Sequence, residues 1–393
     1  MEKLPKLSKA FFINGGAGRV VCSIPALENY AADHRDDDFI IVSESWEELY
    51  KGSIPLRDRV YSPLHKDLFK DHLKDKEVIT PEPYRLNAYF NQKVNLVQAF
   101  DIIINELDHI PEGIDSKVPH LELSKTEQIT GHNIVNEVKQ VTGCDKVVVF
   151  QPFGQSVQVE GKFIFDTSGR SFEIANVVEI IQKLKENNYG IIVMSQIDIP
   201  SWQEMGIAMP HNINLLQWAG VINASNCFLG CDSVGQHLAV SVDKETVVCV
   251  GSTYPENVSY SGINNHKIID LGKGKRVYSP IRVSMDASRD RKNEDMMITS
   301  PTQVKEIVLT IKNAIGVSKV TEPKPPTKLP NPQISQDNKP KIPKITKSGQ
   351  SITKKLLTPP KPVAGFSKPK IEKKKPIEKL VEMELNKDTK SDS

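Results

Sequence analysis

An acid, a hydroxyl, a glycine and a histidine lie within six residues of one another in GCDSVGQHLAVSV, residues 230–242. The apolar residues before this cluster predict a buried strand, and those after it predict a helix. In open α/β sheets, ligands bind at such strand-to-helix corners. Ser233, Val234 and Gly235 stand at the expected helix start, where unpaired backbone N–H groups and the helix dipole favour a phosphate group.

Two further side chains of this corner have both a functional and a structural interpretation. Asp232, at the end of the strand, can accept hydrogen bonds from a sugar hydroxyl or simply cap the helix. His237 falls about one helical turn later, where it either faces a cleft or packs in the core. Each residue alone favours the structural interpretation, but the combination with Ser233 and Gly235 favours a binding site.

A second glycine-rich corner lies near the start of the chain, in INGGAGRVVCSIPAL. Gly15, Gly16 and Gly18, with Ala17 between them, allow a sharp turn and a close approach of the backbone to a ligand. The dinucleotide fingerprint G-x-G-x-x-G/A is incomplete, because Val21 occupies the position of the third small residue. The corner therefore predicts either a loop that lines a binding cleft or a tight turn without a ligand.

Two other loops are expected at the same sheet edge as Asp232. GSTYPENVSY follows the next strand and contains Thr253, and QPFGQSVQVEGK follows an earlier strand. The latter loop can bring Gln155, Ser156 or Lys162 over the cleft. A single lysine is more often a solvated side chain, so that alternative stays open for Lys162.

The body of the chain alternates short apolar runs with helical patterns. Continuous apolar runs such as DKVVVFQP, YGIIVMSQ, NCFLGCD and TVVCVGS are typical of parallel strands that are covered on both faces. Apolar residues at helical spacing predict helices in RVVCSIPALENYAADH, VNLVQAFDIIINEL and SFEIANVVEIIQKLKENN. A capping-box pattern of Ser300, Pro301 and Gln303 predicts the start of a closing helix.

The order of these elements predicts an α/β protein of two Rossmann-like halves. We expect residues 1–143 to form the first half, residues 144–317 the second, and residues 318–393 a disordered tail rich in Lys and Pro. From residue 321 onwards the tail has 17 Lys against 8 Asp and Glu, whereas the rest of the chain has an excess of acids. The tail is interpreted as a solvated linker or anchor, or as a segment that binds an acidic partner, an anionic membrane surface or nucleic acid.

The composition argues against several classes of protein. With 38% hydrophobic and 25% charged residues among 393, the chain has enough apolar residues for globular domains. No apolar run approaches the roughly 20 residues that span a bilayer, and the N-terminus lacks the pattern of a secretory signal. Five scattered cysteines indicate a reducing cytoplasm. Cys227 and Cys231 lack a second Cys/His pair nearby, so we expect no metal site.

Both glycine-containing corners resemble motifs of the heptosyltransferases, family 9 of the glycosyltransferases. NCFLGCDSVGQHLAVSVDKETVVCVGSTYPE is similar to the family motif D-T-G-x-x-H-L-A-x-x-x-x-x-P-V-V-x-L-F-G-x-T-x-P. GGAGRVVCSIPAL is similar to its N-terminal motif G-x-x-G-D-x-x-x-x-x-P-A-L. The resemblance covers most of residues 10–317, and the matching residues fall in the right order. They are Gly18, Pro25, Ala26, Leu27, Asp232, Gly235 (one place later than in the family), His237, Leu238, Ala239, Val247, Val248, Gly251, Thr253 and Pro255.

The resemblance implies a GT-B fold, in which two Rossmann-like domains face each other across a cleft. The first half would hold a glycan or glycolipid acceptor, and the second half a nucleotide-sugar donor. Helix N-termini and basic side chains would neutralise the phosphates without an obligatory metal, and no cofactor is implied because the nucleotide-sugar is a substrate. Together with the loop positions above, it gives as candidate donor-binding residues Gln155, Lys162, Ser233, Val234, Gly235, His237 and Thr253.

One departure from the family motif bears directly on catalysis. Arg19 stands where the family has an acid that is a candidate general base, and an arginine cannot accept a proton. Asp232 and Arg19 remain the candidate catalytic residues, with Arg19 offsetting the charge that develops on the leaving diphosphate. The sequence therefore predicts a heptosyltransferase-like glycosyltransferase or, alternatively, a catalytically inactive GT-B module that binds a glycan or a nucleotide.

Overall fold

The computed structural model describes residues 7–160, 163–166, 168–197, 202, 206–277 and 295–320. Lys162 and residues 321–393 lie outside the described residues, and so do the predictions made for them. Within the described part, two parallel sheets are each covered by helices, as the continuous apolar runs of the sequence predict.

The first half contains a four-stranded parallel sheet in the order β3-β2-β1-β4. Its strands are β1 Ser8–Ile13, β2 Ile40–Ser43, β3 Val60–Tyr61 and β4 Lys76–Ile79. Its helices are α1 Ala17–Asp33, α2 Asn87–Phe90, α3 Leu96–Ile104 and α4 Lys125–Thr142. The strand order reverses between β1 and β4, so the loops after these two strands open a crevice at the carboxyl edge of the sheet.

The second half contains a five-stranded parallel sheet in the order β11-β10-β9-β5-β8 and a separate antiparallel hairpin, β6-β7. Its strands are β5 Val147–Gln151, β6 Val157–Glu160, β7 Phe163–Asp166, β8 Gly190–Val193, β9 Cys227–Cys231, β10 Thr246–Val250 and β11 His266–Asp270. Its helices are α5 Ile174–Glu186, α6 Leu215–Ala224, α7 Val234–Ser241, α8 Pro255–Val258 and α9 Pro301–Ile315. Here the strand order reverses between β5 and β9.

The predicted strands and the five predicted helices are confirmed, and so is the cap of the closing helix. Ser300 accepts a hydrogen bond from the backbone N–H of Gln303, with Pro301 at the first helical position. Sequence reasoning missed α4, α6 and the β6-β7 hairpin. Val320 pairs with Cys144, and residue 318 bonds to Asp145, so the first residues assigned to the tail contact the second half. The domain boundaries stay a prediction.

The two halves share one apolar cluster, which joins α1 of the first half to α6 and α7 of the second. Helices α4 and α6 pack so closely that glycines are required at the contact. A Cβ on Gly131 would overlap the carbonyl of Gly220, and a Cβ on Gly220 would overlap the carbonyl of Glu127. Helix α4, which ends the first half, is therefore packed tightly against the second half.

Among the described residues, no helix has the length and apolar character needed to cross a bilayer.

Replacing either glycine with alanine tests this contact. Helix propensity alone would make Gly131→Ala or Gly220→Ala stabilising by about 1 kcal/mol. Because the added Cβ would overlap the backbone of the other helix, we expect each variant to be destabilising instead. Each should lower the free energy of unfolding by about 1–3 kcal/mol. Urea denaturation followed by circular dichroism measures the change. The control Asn133→Ala, at an exposed position of α4, should stay within about 0.5 kcal/mol of wild type; stabilisation by both glycine variants would contradict the close contact.

Candidate active site

The reversal of strand order between β5 and β9 places two polar side chains side by side at the carboxyl edge of the second sheet. Gln151, the last residue of β5, pairs in register with Gly230 of β9, and Asp232 follows two residues later. In doubly wound sheets this reversal is where a crevice for ligands forms. The strand-to-helix corner of residues 230–242 therefore lies at the topological switch point of the second half.

Asp232 is buried, with 4% of its surface exposed, and both of its carboxylate oxygens are engaged. Its Oδ1 accepts a hydrogen bond of 2.9 Å from Nε2 of Gln236, and its Oδ2 accepts one of 2.9 Å from Oγ1 of Thr253. Nη1 of Arg170 lies 3.7 Å from Oδ2. A buried carboxylate costs several kcal/mol unless such partners compensate it. Three side chains, those of Gln236, Thr253 and Arg170, thus contact the Asp232 carboxylate.

Arg170 is the cation that this carboxylate holds at the cleft, and its loop is built around a second carboxylate. Asp166 at the end of β7 accepts hydrogen bonds from the backbone N–H groups of Ser168, Arg170 and Ser171 and from both serine hydroxyls. Although burial opposes the charged form of Arg170, Asp232 and Asp166 outweigh it, and its pKa lies above the ordinary value. The guanidinium is therefore charged, oriented and partly open to the cleft.

The start of α7 is arranged differently from the sequence expectation. The backbone N–H of Gly235 donates to Oε1 of Gln151 at 2.9 Å, so this amide already has an internal acceptor. Nε2 of the same glutamine donates to Oγ of Ser233 at 3.2 Å. A Cβ on Gly235 would overlap both Gln151 and the ring of Phe228, which explains the glycine by packing. Ser233 and Val234 line the cleft, whereas Gly235 lies behind them.

The glycine corner of the first half faces this helix across the cleft. Gly15 has a φ of 92°, which favours glycine, and it provides the turn between β1 and α1. A Cβ on Gly16 would lie 3.1 Å from Oε1 of Gln155, and a Cβ on Gly18 would lie 2.8 Å from the His237 ring. The small residues of this corner thus allow the two halves to approach each other closely.

Arg19 is only 7% exposed and its contacts lie mainly within the first half. Its Nη2 donates to the carbonyl of Pro81 at 2.6 Å, and its Nη1 lies 3.3 Å from the carboxylate of Glu82. The guanidinium also lies 5.1 Å from the ring centre of Tyr84. Nε of Arg19 is buried without a partner among the described residues. The side chain joins the start of α1 to the loop after β4 at the edge of the cleft.

His237 is buried at the contact between the halves. Its Nδ1 shares a hydrogen bond of 2.6 Å with the hydroxyl of Tyr260 and lies 3.5 Å from Sγ of Cys22. Burial lowers the pKa of His237 to about 4, and burial likewise lowers the pKa of the nearby His266 to about 3. Both imidazoles are therefore neutral near pH 7.

A cleft of about 600 Å³ runs between the halves. Of the sequence-predicted site residues, those that line it are Gly16, Ala17, Gly18, Arg19, Gln155, Asp232, Ser233, Val234 and His237. Gly15, Gly235 and Thr253 lie behind this lining, and Thr253 reaches the site through its hydrogen bond to Asp232. Within the described ranges, no group of three His, Cys, Asp or Glu side chains is arranged to hold a metal ion.

Sequence reasoning missed Arg170, the main cation of the described cleft lining. Its segment DTSGRS follows a short strand and combines an Asp with serines two and five residues later. That spacing is typical of a turn in which a carboxylate caps successive backbone N–H groups. The pattern could have marked the loop, but it does not indicate on which side of the sheet Arg170 lies.

The neutral, buried histidines predict how stability depends on pH. Their folded pKa values lie below the unfolded value of 6.5, so the unfolded chain binds more protons as the pH falls. Stability should be constant above about pH 6.5 and decline towards pH 4, by up to about 1.4 kcal/mol per pH unit for each histidine. His237→Asn removes one of the two histidines, so it should reduce this slope by up to about 1.4 kcal/mol per pH unit. Urea denaturation at pH values from 7.5 to 4.5 measures the slope. An unchanged slope, equal to that of the exposed control His132→Gln, would contradict the buried neutral state.

Comparisons with known proteins place this geometry in a fold family. No family model matches the chain, and no curated protein matches its sequence. A glycosyl transferase family 9 protein from Veillonella parvula aligns with 79% of this chain and 98% of its own, at 10% identity and a TM-score of 0.55. TibC, an iron-containing dodecameric glycosyltransferase from enterotoxigenic E. coli, aligns with 80% of this chain and 81% of its own, at 12% identity and a TM-score of 0.51.

A second structure of TibC, in complex with ADP-D-β-D-heptose, aligns with 80% of this chain and 78% of its own, at 12% identity and a TM-score of 0.50. At these identities the likeness concerns the fold. It agrees with the two facing parallel sheets, the cleft between them and the two motifs that lie on its opposite sides. The chain therefore has the GT-B fold, which it shares with the Veillonella parvula protein and with TibC.

Proposed function

We propose that the chain is a glycosyltransferase that moves a sugar from a nucleotide-sugar donor to a glycan or glycolipid acceptor. The observation that carries this proposal is the charged guanidinium of Arg170 at the switch point of the second sheet. A diphosphate needs a fixed cation and hydrogen-bond donors in a crevice of this kind. Arg170, the Ser233 hydroxyl and the start of α7 supply both on one side of the cleft.

The proposed roles follow from the contacts of each side chain. Arg170 binds the diphosphate and offsets the charge that develops as it leaves, which requires no metal ion. Asp232 is a positioning residue, because its oxygens are occupied by Gln236, Thr253 and Arg170. Ser233 and Val234 contact the phosphates from the helix start.

Other predicted residues receive proposed roles in binding and in joining the halves. Gln155 contacts the donor from the β5-β6 loop, and Gly16, Ala17 and Gly18 form the floor of the cleft on the acceptor side. His237 holds the two halves together beside the donor. Arg19 lies at the acceptor edge, where its charge adds to that of Arg170. No organic cofactor has a role in this scheme.

The fold relatives indicate which nucleotide-sugar to test first. TibC has been crystallised with ADP-D-β-D-heptose, and this chain shares its fold. ADP-heptose is therefore the first donor to test, followed by UDP-, GDP- and CDP-sugars. Because all five cysteines are buried and unpaired, we keep the cytoplasm as the proposed compartment.

One observation favours the alternative of a catalytically inactive binding module. The residue that replaces the family's acid, Arg19, is bound to Pro81 and Glu82 and cannot accept a proton. A module of this kind would bind nucleoside diphosphates but would not cleave any nucleotide-sugar. Turnover of a donor therefore separates the two functions, whereas binding of the diphosphate alone is common to both.

Removal of the cation at position 170 tests the proposed diphosphate site. We expect Arg170→Ala to weaken binding of ADP, or of whichever nucleoside diphosphate wild type prefers, by about 10- to 100-fold, because a charge-assisted hydrogen bond contributes about 1.5–3 kcal/mol. Isothermal titration calorimetry at low salt measures the affinity. The matched control is Arg35→Ala, which removes an exposed arginine of the first half and should leave the affinity unchanged. Equal affinities for all three proteins would contradict the site.

The Lys-rich tail gives a separate prediction. Its 17 Lys against 8 acidic residues support a contact with an anionic surface. Full-length protein should sediment with vesicles that contain phosphatidylglycerol, and a chain ending at residue 320 should not. Raising the salt from 50 to 300 mM should release the full-length protein. Binding of the full chain to a 30-nucleotide RNA but not to vesicles would indicate nucleic acid instead, and equal vesicle binding by both chains would contradict a role for the tail.

A further inference from the structure

The described lining of the cleft contains two carboxylates, Asp232 and Glu48. They differ in their surroundings. Both oxygens of Asp232 are occupied by neighbouring side chains. The carboxylate of Glu48 makes no hydrogen bond or ion pair with any residue that the structure describes. Glu48 is thus an available proton acceptor, whereas Asp232 is not.

The backbone around Glu48 is firmly anchored. The residue lies on the 3₁₀ turn Glu47–Gly52, just beyond the carboxyl end of β2. The next two residues, Leu49 and Tyr50, are fully buried, and the Tyr50 hydroxyl lies 3.1 Å from Oγ of Ser23 on α1. The turn is therefore fixed to the core of the first half while Glu48, half-buried, faces the cleft.

The residue that begins this turn has an unusual backbone conformation. Trp46 has a φ of 65°, a left-handed conformation that is strained for a bulky side chain, and it too lines the cleft. Such strain costs about 1–3 kcal/mol and is concentrated at functional sites. The left-handed conformation of Trp46 allows the chain to turn sharply after β2, so that Trp46 and Glu48 both reach the cleft from the acceptor side.

Other groups of the described lining are unsuited to accept a proton from an acceptor. Arg19 carries no lone pair for a proton. Nδ1 of His237 is paired with Tyr260, and burial lowers the pKa of this imidazole to about 4, so it is a weak base. His211 belongs to the second half, on the donor side of the cleft, and is exposed to solvent. Among the described residues that line the cleft, only Glu48 combines a carboxylate without a hydrogen-bond partner with a position on the first half.

We propose that Glu48 is the general base of the transfer reaction, taking the place of the acid that Arg19 replaces; this rests on the proposed glycosyltransferase function. The O–H bond of the acceptor hydroxyl breaks and its proton passes to a Glu48 oxygen. The acceptor oxygen forms a bond to the anomeric carbon while the bond from that carbon to the diphosphate breaks. The electron pair of the broken bond leaves with the diphosphate, opposite Arg170.

The variant Glu48→Gln tests this role, with water as the acceptor and ADP-heptose and the UDP-, GDP- and CDP-sugars as donors. General-base catalysis contributes about 100- to 10,000-fold, so kcat for hydrolysis should fall at least about 100-fold. The KM of the donor and the affinity for ADP should remain within about twofold of wild type. Glu47→Gln is the matched control, because Glu47 is the exposed neighbour on the same turn, and it should keep full activity.

Sodium azide separates a base from a structural residue. Azide is an anion and needs no deprotonation, so Glu48→Gln with azide should release nucleoside diphosphate and form a glycosyl azide at least about 10-fold faster than the same variant in water. Wild type should be accelerated less, because its base already activates water. A residue that only supports the fold would not be rescued in this way.

The remaining outcomes show whether the assignment of Glu48 as general base is wrong or the proposed transferase function itself is wrong. If wild type hydrolyses a donor and Glu48→Gln stays within about threefold of it, the assignment of Glu48 is overturned and the transferase function stands. Loss of ADP affinity in Glu48→Gln, without azide rescue, makes the residue a binding or structural one and also overturns the assignment. If wild type binds ADP but cleaves no donor in water or azide, the binding module is favoured and both proposals fail.

Discussion

The ion pair between Arg170 and Asp232 is the interaction on which the proposed chemistry depends. An arginine that faces a cleft can bind many anions, but one held by a buried carboxylate has its charge fixed in one place. Asp232 is in turn stabilised by Thr253 from the loop after β10 and by Gln236 of α7. Two segments of the second half thus position the carboxylate that holds the cation, which is the preorganisation that the proposed diphosphate leaving group requires.

A second constraint is the close contact between the halves. Gly18 leaves room for the His237 ring, and α1 shares an apolar cluster with α6 and α7. The N-termini of α1 and α7 therefore face each other across the cleft. Since each follows a strand at the point where its sheet reverses order, both halves present their polar loops to the same space.

The sequence was sufficient to predict the parallel sheets and the two corners, because continuous apolar runs and glycines report directly on local structure. It predicted Asp232 at the cleft but not its partners, since Thr253 and Arg170 are brought to it only by the packing of separate loops. Gly235 was expected to present a phosphate-binding amide, yet that amide donates to Gln151 on the neighbouring strand. Helix α4 was missed because only a few of its residues are buried, so its apolar pattern is weak. Roles that depend on contacts between distant segments cannot be inferred from spacing along the chain.

The most direct test of the central claim is a crystal structure of the full chain with ADP, or with the nucleoside diphosphate that binds best in calorimetry. The account predicts that the diphosphate lies at the carboxyl ends of β5 and β9, within hydrogen-bond distance of the Arg170 guanidinium, the Ser233 hydroxyl and the start of α7. A diphosphate bound elsewhere, with Arg170 in contact with Asp232 alone and the cleft between the halves empty, would contradict it.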